Sequence, residues 1–251
     1  MNLVHKPEPQ HQHRLRWMHD RLFQAYGPQH WWPADAPFEV VLGAYLTQNT
    51  SWKAVERSLA NIREAGALTV DGLRSLSLRE LEQLIRPSGF YTRKALALKA
   101  FLVMLDDEFA GSLHLLADLP TARVRHLLLA LPGVGPETAD AILLYALRHP
   151  VPVADEYLRR IAERHQLLET AERGNRDVYK ILTDLTQRAF SADPVDARAA
   201  LFNEFHALTV AVGKAHCGRT PQCVNCPLRD DILSNLSAES ENQPPHGSSK
   251  S

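Results

Sequence analysis

The chain has 251 residues, of which 45% are hydrophobic and 23% charged, and its formal net charge at pH 7 is −1. That apolar content suffices for a sizeable core in one large or two small domains. The near-neutral balance counts against a protein that grips nucleic acid through a general basic excess, although basic residues could cluster on one face. No apolar run is long enough for a membrane span or a signal peptide, so we expect a cytoplasmic protein with reduced cysteines.

Helical periodicity dominates the chain, whereas alternating β-branched runs are scarce. Apolar residues recur at helical spacing in residues 78–85, 95–105, 178–190 and 199–212. Ser77 and Glu80 fit a capping box at the start of the first of these segments. We therefore predict an all-α fold. The tail over residues 234–251 is rich in Ser, Asn, Pro and Glu and is predicted to be disordered.

Three of the four tryptophans, Trp31, Trp32 and Trp52, lie near the N-terminus. A tryptophan is usually part of a core, and that reading holds for any one of them. The adjacent pair is less ordinary because neighbouring side chains on regular structure point apart. Pro33 adds a rigid edge beside the pair. An indole face attracts a cation by about 0.5–2 kcal/mol, so an aromatic binding wall is the second interpretation.

A glycine-rich turn, residues 131–135, lies between two segments of helical periodicity. The first segment runs from Thr121, a candidate cap, to about residue 130, and the second runs from Pro136 to about residue 147. The two glycines permit a tight hairpin and a close approach to a ligand. N–H groups at such a hairpin form an anion site, which can hold a DNA phosphate without reading sequence. An ordinary helical corner is the alternative.

Asp155 lies twenty residues beyond Gly135, directly before a helical pattern over residues 156–161. Aspartate is a favoured residue at the N-cap, so a capping role alone would explain it. Its place after the glycine-rich turn makes it also a candidate for chemistry on a ligand held there.

Together these motifs resemble the helix-hairpin-helix (endonuclease III) superfamily of DNA glycosylases over roughly residues 14–232. Four segments carry the likeness: the hairpin at 131–135 with its aspartate at 153–155, the helix and turn at 42–50, the loop at 88–95, and the cysteines at 217–226. Trp31, Trp32 and Pro33, with residues 46–52, look most like the 3-methyladenine DNA glycosylase III branch, whose aromatic residues line the pocket for the extruded base. The order and spacing of separate motifs make the resemblance specific.

The resemblance implies two helical lobes with the helix-hairpin-helix motif, residues 121–147, at a central cleft. One lobe would span residues 34–149, and the other would combine residues 1–33 with 150–233. It also implies a monomer that binds double-stranded DNA containing damaged bases.

The resemblance assigns roles to single residues. Asp155 would be the catalytic carboxylate, which stabilises the positive charge that the sugar gains as the base leaves. Gln48 would fill the space left by the flipped base. The DNA-binding positions would be Gln48, Leu131, Gly133, Val134, Gly135 and Thr138. The base pocket would contain Trp31, Trp32, Pro33, Trp52 and Lys214, which matches a lysine that is carbamylated in that branch; an exposed helix lysine is the alternative.

Bifunctional members of the superfamily carry a lysine two residues after the last hairpin glycine, where this chain has Glu137. No Schiff base can form on a glutamate. We therefore predict a monofunctional DNA glycosylase of base excision repair, without AP-lyase activity, that releases alkylated purines such as 3-methyladenine. A glycosylase for oxidised pyrimidines, uracil or mismatched adenine is one alternative. A non-catalytic helix-hairpin-helix DNA-binding module is the other.

The chain's three cysteines, Cys217, Cys223 and Cys226, lie where the family often holds an iron–sulfur cluster. Such a cluster takes four thiolates, and the chain has no fourth cysteine. We therefore predict no complete 4Fe-4S cluster and a loop held by packing instead. Three thiolates with His216 or His206 could hold zinc, which leaves a structural metal as the alternative.

Overall fold

The computed structural model describes residues 9–32, 34–168, 172 and 177–232. Pro33 and the tail predicted to be disordered lie outside these described residues. Within them the regular structure is helical and no residue forms a β-strand, which confirms the all-α prediction. The α-helices are α1 Pro9–Tyr26, α2 Pro37–Leu46, α3 Trp52–Glu64, α4 Val70–Ser75, α5 Leu78–Leu84, α6 Tyr91–Phe109, α7 Leu113–Ala117, α8 Thr121–Leu129, α9 Pro136–Ala141, α10 Glu156–Arg164, α11 Val178–Ala189 and α12 Val195–Ala215.

Two shorter elements interrupt this order. A 3₁₀ turn, Arg86–Ser88, precedes α6, and the chain continues from α9 into a π-helical turn, Ile142–Ala146. A π turn adds a residue per turn and is often found at functional sites. It shifts the helical register in the second half of the hairpin motif, which simple helical periodicity does not reveal.

Local signals predicted the starts of four helices, and three of the four agree with the structure. The Ser77 hydroxyl and the Glu80 carboxylate form both hydrogen bonds of the predicted capping box of α5. Thr121 was expected to cap α8, but Pro120 occupies the cap position and Thr121 is the first helical residue. The Thr121 hydroxyl lies 2.9 Å from Nδ1 of His149 instead, because the buried imidazole offers it a partner from another segment.

The chain divides into two compact units. Unit 1 contains residues 1–29, 154–192 and 205–251, and unit 2 contains residues 30–153 and 193–204. The sequence placed residues 193–204 in the lobe that contains residues 150–233, whereas they belong to unit 2 in the structure. The reason is that the first half of α12 packs with segments of unit 2. The predicted lobe arrangement itself stays a prediction.

Unit 2 is built around α2 and α6. Helix α2 is buried along nearly its whole length and packs on α3, on α6 and on the π turn. Tyr45 of α2 and Phe101 of α6 are fully buried and meet edge to face, with ring centroids 6.1 Å apart. Burial of an apolar side chain such as that of Phe101 stabilises the fold by about 1.5–3 kcal/mol. The resulting core fixes the positions of the loops that begin and end α2.

Unit 1 packs α1 and α10 on α11. Phe190 and Phe205 form its aromatic centre with His19, whose ring meets Phe190 edge to face at 5.4 Å. The Arg14 guanidinium donates two hydrogen bonds to the buried Asp231 carboxylate, at 2.9 and 2.7 Å. No helix in the described part of the chain is long and apolar enough to cross a bilayer.

Candidate active site

The hairpin motif consists of α8, the turn at residues 131–135 and α9. Gly133 adopts a φ of 76°, a left-handed conformation that glycine takes at little cost, and Pro136 opens α9. Across the motif, the Arg125 guanidinium of α8 donates to both oxygens of the buried Asp140 of α9, at 2.7 and 3.1 Å. This bidentate pair joins the two helices of the hairpin, and the sequence reading did not single it out.

Gln48 lies in the turn after α2, where its side chain contacts the hairpin. Its amide nitrogen lies 2.9 Å from both the Gly133 carbonyl oxygen and the Thr138 hydroxyl oxygen. Gly133 and Thr138 were predicted DNA-binding positions, so the structure brings three of these predicted residues together. Leu131 is half-buried, Val134 is buried and Gly135 is exposed in the same turn. The role of Gln48 in DNA stays a prediction.

The three tryptophans of the predicted base pocket form one aromatic cluster. Ring centroids lie 5.6 Å apart for Trp31 and Trp32, 6.0 Å for Trp31 and Trp52, and 5.2 Å for Trp32 and Trp52. Both members of the adjacent pair can contact Trp52 because the segment that carries them is not helical. All three rings are half-buried, so the cluster is neither a closed core nor an exposed patch.

Two further residues complete the aromatic cluster. The Tyr145 ring, in the π turn, lies 5.4 Å from that of Trp32. A Cβ atom at Gly43 would lie only 2.7 Å from Cζ2 of Trp32, so the indole rests directly on the backbone of α2. Sequence reading missed both residues. The register shift of the π turn hides Tyr145, and a glycine inside a helical pattern signals a close approach without naming its partner.

A cleft of about 490 Å³ in unit 2 adjoins this cluster. Trp31, Trp32 and Tyr145 line it together with the charged residues Asp35, Arg148 and Asp196. Its volume lies within the range of small-molecule sites.

Asp155 is the N-cap of α10, as its sequence position predicts. Its Oδ1 accepts a hydrogen bond of 2.9 Å from the Leu158 backbone N–H. Its Oδ2 lies 3.5 Å from Nε2 of His206, and the carboxylate is only 14% exposed. Burial raises the pKa of Asp155, but His206 and the backbone N–H groups outweigh it and hold the pKa below 3.8. The carboxylate is therefore ionised at neutral pH.

Helices α10 and α12 meet closely beside this carboxylate. A Cβ atom at Gly213 would overlap the Tyr157 ring, with Cγ of that ring 2.7 Å away. The glycine thus lets Tyr157 pack on the backbone of α12, the helix that carries His206. In the sequence His206 is a candidate zinc ligand only. Its contact with Asp155 is not apparent there because the two residues are 51 positions apart.

Lys214 and Glu137 are both exposed, Lys214 in the last turn of α12 and Glu137 in the first turn of α9. Lys214 belongs to unit 1, whereas Trp31, Trp32 and Trp52 belong to unit 2. Its membership of the base pocket stays a prediction.

The cysteine segment is tied to α10 at its first cysteine, and the absence of a complete four-thiolate cluster stays a prediction. Sγ of Cys217 accepts a hydrogen bond of 3.0 Å from the Arg164 guanidinium, and the Cys217 carbonyl accepts one of 3.1 Å from Arg160. Across the described ranges, no three His, Cys, Asp or Glu side chains converge on a site for a metal ion. Arginine donors thus hold the start of this segment, and whether it binds zinc stays untested.

Comparisons with known proteins agree with this arrangement. Residues 42–188 match the family described as HhH-GPD superfamily base excision DNA repair protein. A Methanocaldococcus jannaschii protein named as a DNA repair glycosylase is 36% identical over 214 residues, which cover 85% of this chain and 93% of that protein. The chain belongs to the HhH-GPD superfamily. The resemblance inferred from the sequence is thereby confirmed, and this HhH-GPD protein is a DNA glycosylase of base excision repair.

Other relatives of this HhH-GPD protein carry the names of different DNA enzymes. Endonuclease III of Sulfolobus acidocaldarius is 27% identical over 195 residues, covering 77% of this chain and 80% of that protein. The crystal structure of the Helicobacter pylori 3-methyladenine DNA glycosylase bound to 1,N6-ethenoadenine aligns with a TM-score of 0.67 and 27% identity, covering 82% of this chain and 97% of that one. The comparisons therefore establish the superfamily and leave the preferred lesion to be argued from the site.

Proposed function

We propose that this HhH-GPD protein is a monofunctional DNA glycosylase that releases alkylated purines, such as 3-methyladenine, by hydrolysis. The observation that carries the proposal is the aromatic cluster of Trp31, Trp32 and Trp52 with Tyr145. Methylation at N3 makes adenine cationic, and a cation over an indole face gains about 0.5–2 kcal/mol. The likeness to a 3-methyladenine glycosylase of H. pylori supports the same lesion class.

Asp155 supplies the charge for bond cleavage in this proposal. As the glycosidic bond breaks, the sugar becomes positively charged, and a preorganised anion stabilises that transition state. The contacts that keep Asp155 ionised, from His206 and the α10 backbone, suit this role. A cationic base is already a good leaving group, so stacking and a single carboxylate suffice without a covalent intermediate.

Double-stranded DNA that contains the damaged base is the proposed partner. The exposed glycines of the hairpin leave its backbone open to a phosphate. Gln48 would enter the space that the flipped base leaves. Phe90 is a second candidate for insertion because it is 63% exposed and adopts a left-handed φ of 46°, a strained conformation that is often found at functional sites.

A panel of duplexes tests the lesion class. Each carries a single 3-methyladenine, uracil, thymine glycol or adenine opposite 8-oxoguanine, and the released base is identified by mass spectrometry under single-turnover conditions. We expect release of 3-methyladenine and loss of that release in Asp155→Asn. Preferred release of a pyrimidine would reject the alkylpurine assignment, and no release from any duplex would leave a DNA-binding module.

Borohydride trapping tests the absence of lyase activity. Because Glu137 stands at the Schiff-base position, we expect intact abasic strands and no protein–DNA adduct after reduction. Endonuclease III, which resembles this chain in sequence, provides the comparison protein. A covalent adduct with this HhH-GPD protein would show that another amine serves as nucleophile and would reject hydrolysis as the only route.

A further inference from the structure

We infer that Lys94 is a positioning residue for DNA distortion, because its buried ammonium joins the turn that carries Gln48 to the loop that carries Phe90. Lys94 lies in the first turn of α6 and is only 4% exposed. The inference rests on the proposed function, in which Gln48 enters the DNA.

Three hydrogen bonds define the contact. Nζ of Lys94 donates to the Leu46 carbonyl at 2.8 Å, to the Thr50 hydroxyl at 2.7 Å and to the Ser88 carbonyl at 2.9 Å. Leu46 is the last residue of α2, so its carbonyl has no partner within the helix. An ammonium has three N–H groups, and these three acceptors use all of them.

The acceptors belong to the segments that present the candidate inserting side chains. Leu46 and Thr50 bracket the turn that contains Gln48, and Ser88 ends the 3₁₀ turn two residues before Phe90. The Thr50 hydroxyl in turn lies 2.5 Å from the Ser88 carbonyl oxygen. One cation thus fixes both loops to the start of α6, and burial, which lowers the pKa of Lys94 to about 8, still leaves it charged at neutral pH.

Lys99 provides a matched comparison on the same helix. Its Nζ also donates to three backbone carbonyls, those of Leu73 at 2.9 Å, Arg74 at 3.1 Å and Leu76 at 2.5 Å. These carbonyls lie in and just after α4 and not in either candidate inserting segment. Loss of either ammonium should lower thermal stability, but only loss of that of Lys94 should disturb base flipping.

The experiment compares Lys94→Met with Lys99→Met in the full-length protein. Flipping is followed by the fluorescence of 2-aminopurine placed beside 3-methyladenine in a duplex, and release is measured in single turnover at a temperature at which circular dichroism shows all variants folded. We expect Lys94→Met to slow flipping about ten- to a hundred-fold, the order seen when a positioned group is misplaced, and Lys99→Met to change it less than about two-fold. Lys94→Gln keeps N–H donors, so its flipping rate should lie between those of wild type and Lys94→Met. It replaces Lys94→Met in the experiment if that variant does not fold.

A double variant separates positioning from general destabilisation. If Lys94 acts through Gln48 and Phe90, then Lys94→Met combined with Gln48→Ala should be slower than either single variant, but by less than the product of their separate losses, because the two substitutions remove part of the same step. Equal losses in Lys94→Met and Lys99→Met, or additive losses in the double variant, would overturn the inference. Failure of the wild-type protein to release any base would instead reject the proposed function.

Discussion

The Asp155 region and the aromatic cluster differ in the interaction that each offers to a ligand. Asp155 is a single charge, nearly buried, with one oxygen capping α10 and the other facing His206. The aromatic cluster presents four half-buried or buried rings whose centroids lie 5.2–6.0 Å from their neighbours. A fixed charge stabilises the transition state most, because the opposite charge develops there. A ring surface stabilises a flat ligand as soon as the ligand stacks on it. We therefore expect the first region to act on bond cleavage and the second on engagement of the base.

The largest effect should come from Asp155→Asn. Asparagine can still cap α10, so the substitution removes the charge while leaving the helix start intact. Loss of a key electrostatic group should slow single-turnover base release by about 10²–10³-fold or more. Fluorescence anisotropy should show unchanged DNA binding.

Glu156→Gln is the matched control for Asp155→Asn, since it neutralises the adjacent exposed acid, which pairs with Arg159. That control should keep a rate close to wild type. If Asp155→Asn released bases at a near-wild-type rate, Asp155 would be only a helix cap, and its charge would have no part in bond cleavage.

Trp52→Ala should have the next largest effect. Loss of one stacking partner costs about 1–3 kcal/mol per base, so base engagement should weaken roughly 5- to 150-fold. Trp17→Ala is the control, because Trp17 is also half-buried but lies on α1, outside the aromatic cluster. Unchanged release of alkylated bases by a folded Trp52→Ala protein would show that Trp52 only packs in the core and does not contact the base.

A smaller change, Gly43→Ala, tests the support of the aromatic cluster. Alanine is normally preferred to glycine inside a helix by about 0.5–1 kcal/mol. Here the added Cβ would meet Trp32 at 2.7 Å, and such overpacking costs about 1–3 kcal/mol. We expect a lower melting temperature and several-fold weaker engagement of the base. A more stable protein with unchanged release would show that Trp32 can move without consequence.

The smallest expected effect is on the pH dependence of the free energy of unfolding, which should differ between the Asp155 region and the aromatic cluster. The pKa of Asp155 is lower in the folded protein than its ordinary value of 3.8. Its ionised form therefore stabilises the fold above that pH, and this contribution is lost as the pH falls through the folded pKa. Denaturant melts should show a difference in the free energy of unfolding between wild type and Asp155→Asn that shrinks as the pH falls below about 3.8. Trp52→Ala should show no such trend, and a difference that grows on acidification would contradict the sign of the shift.

The sequence predicted the features that depend on local signals. Helical spacing located α5, α6, α11 and α12, and the Ser77 capping box has both of its hydrogen bonds. The glycine-rich turn and the cap at Asp155 lie where the pattern placed them, because turn and cap chemistry involve only a few neighbouring residues.

Contacts between distant segments could not be read in the same way. His206 faces Asp155, Trp32 rests on Gly43, and Lys94 joins two loops. In the sequence, His206, Gly43 and Lys94 each look like an ordinary residue of a helix. The spacing of the cysteines made this segment a candidate metal loop, and that stays a prediction because the direction of a thiol depends on the fold. Arg164 contacts Cys217, a partner that spacing alone does not indicate.

The most direct test measures single-turnover release of 3-methyladenine across a series of protein concentrations for wild type, Asp155→Asn and Trp52→Ala. The division between charge and stacking predicts that Asp155→Asn lowers the plateau rate and leaves the half-saturating concentration unchanged. Trp52→Ala should instead raise the half-saturating concentration and lower the plateau far less. Wild-type protein that releases no 3-methyladenine, or two variants that change the same parameter by the same factor, would contradict the account.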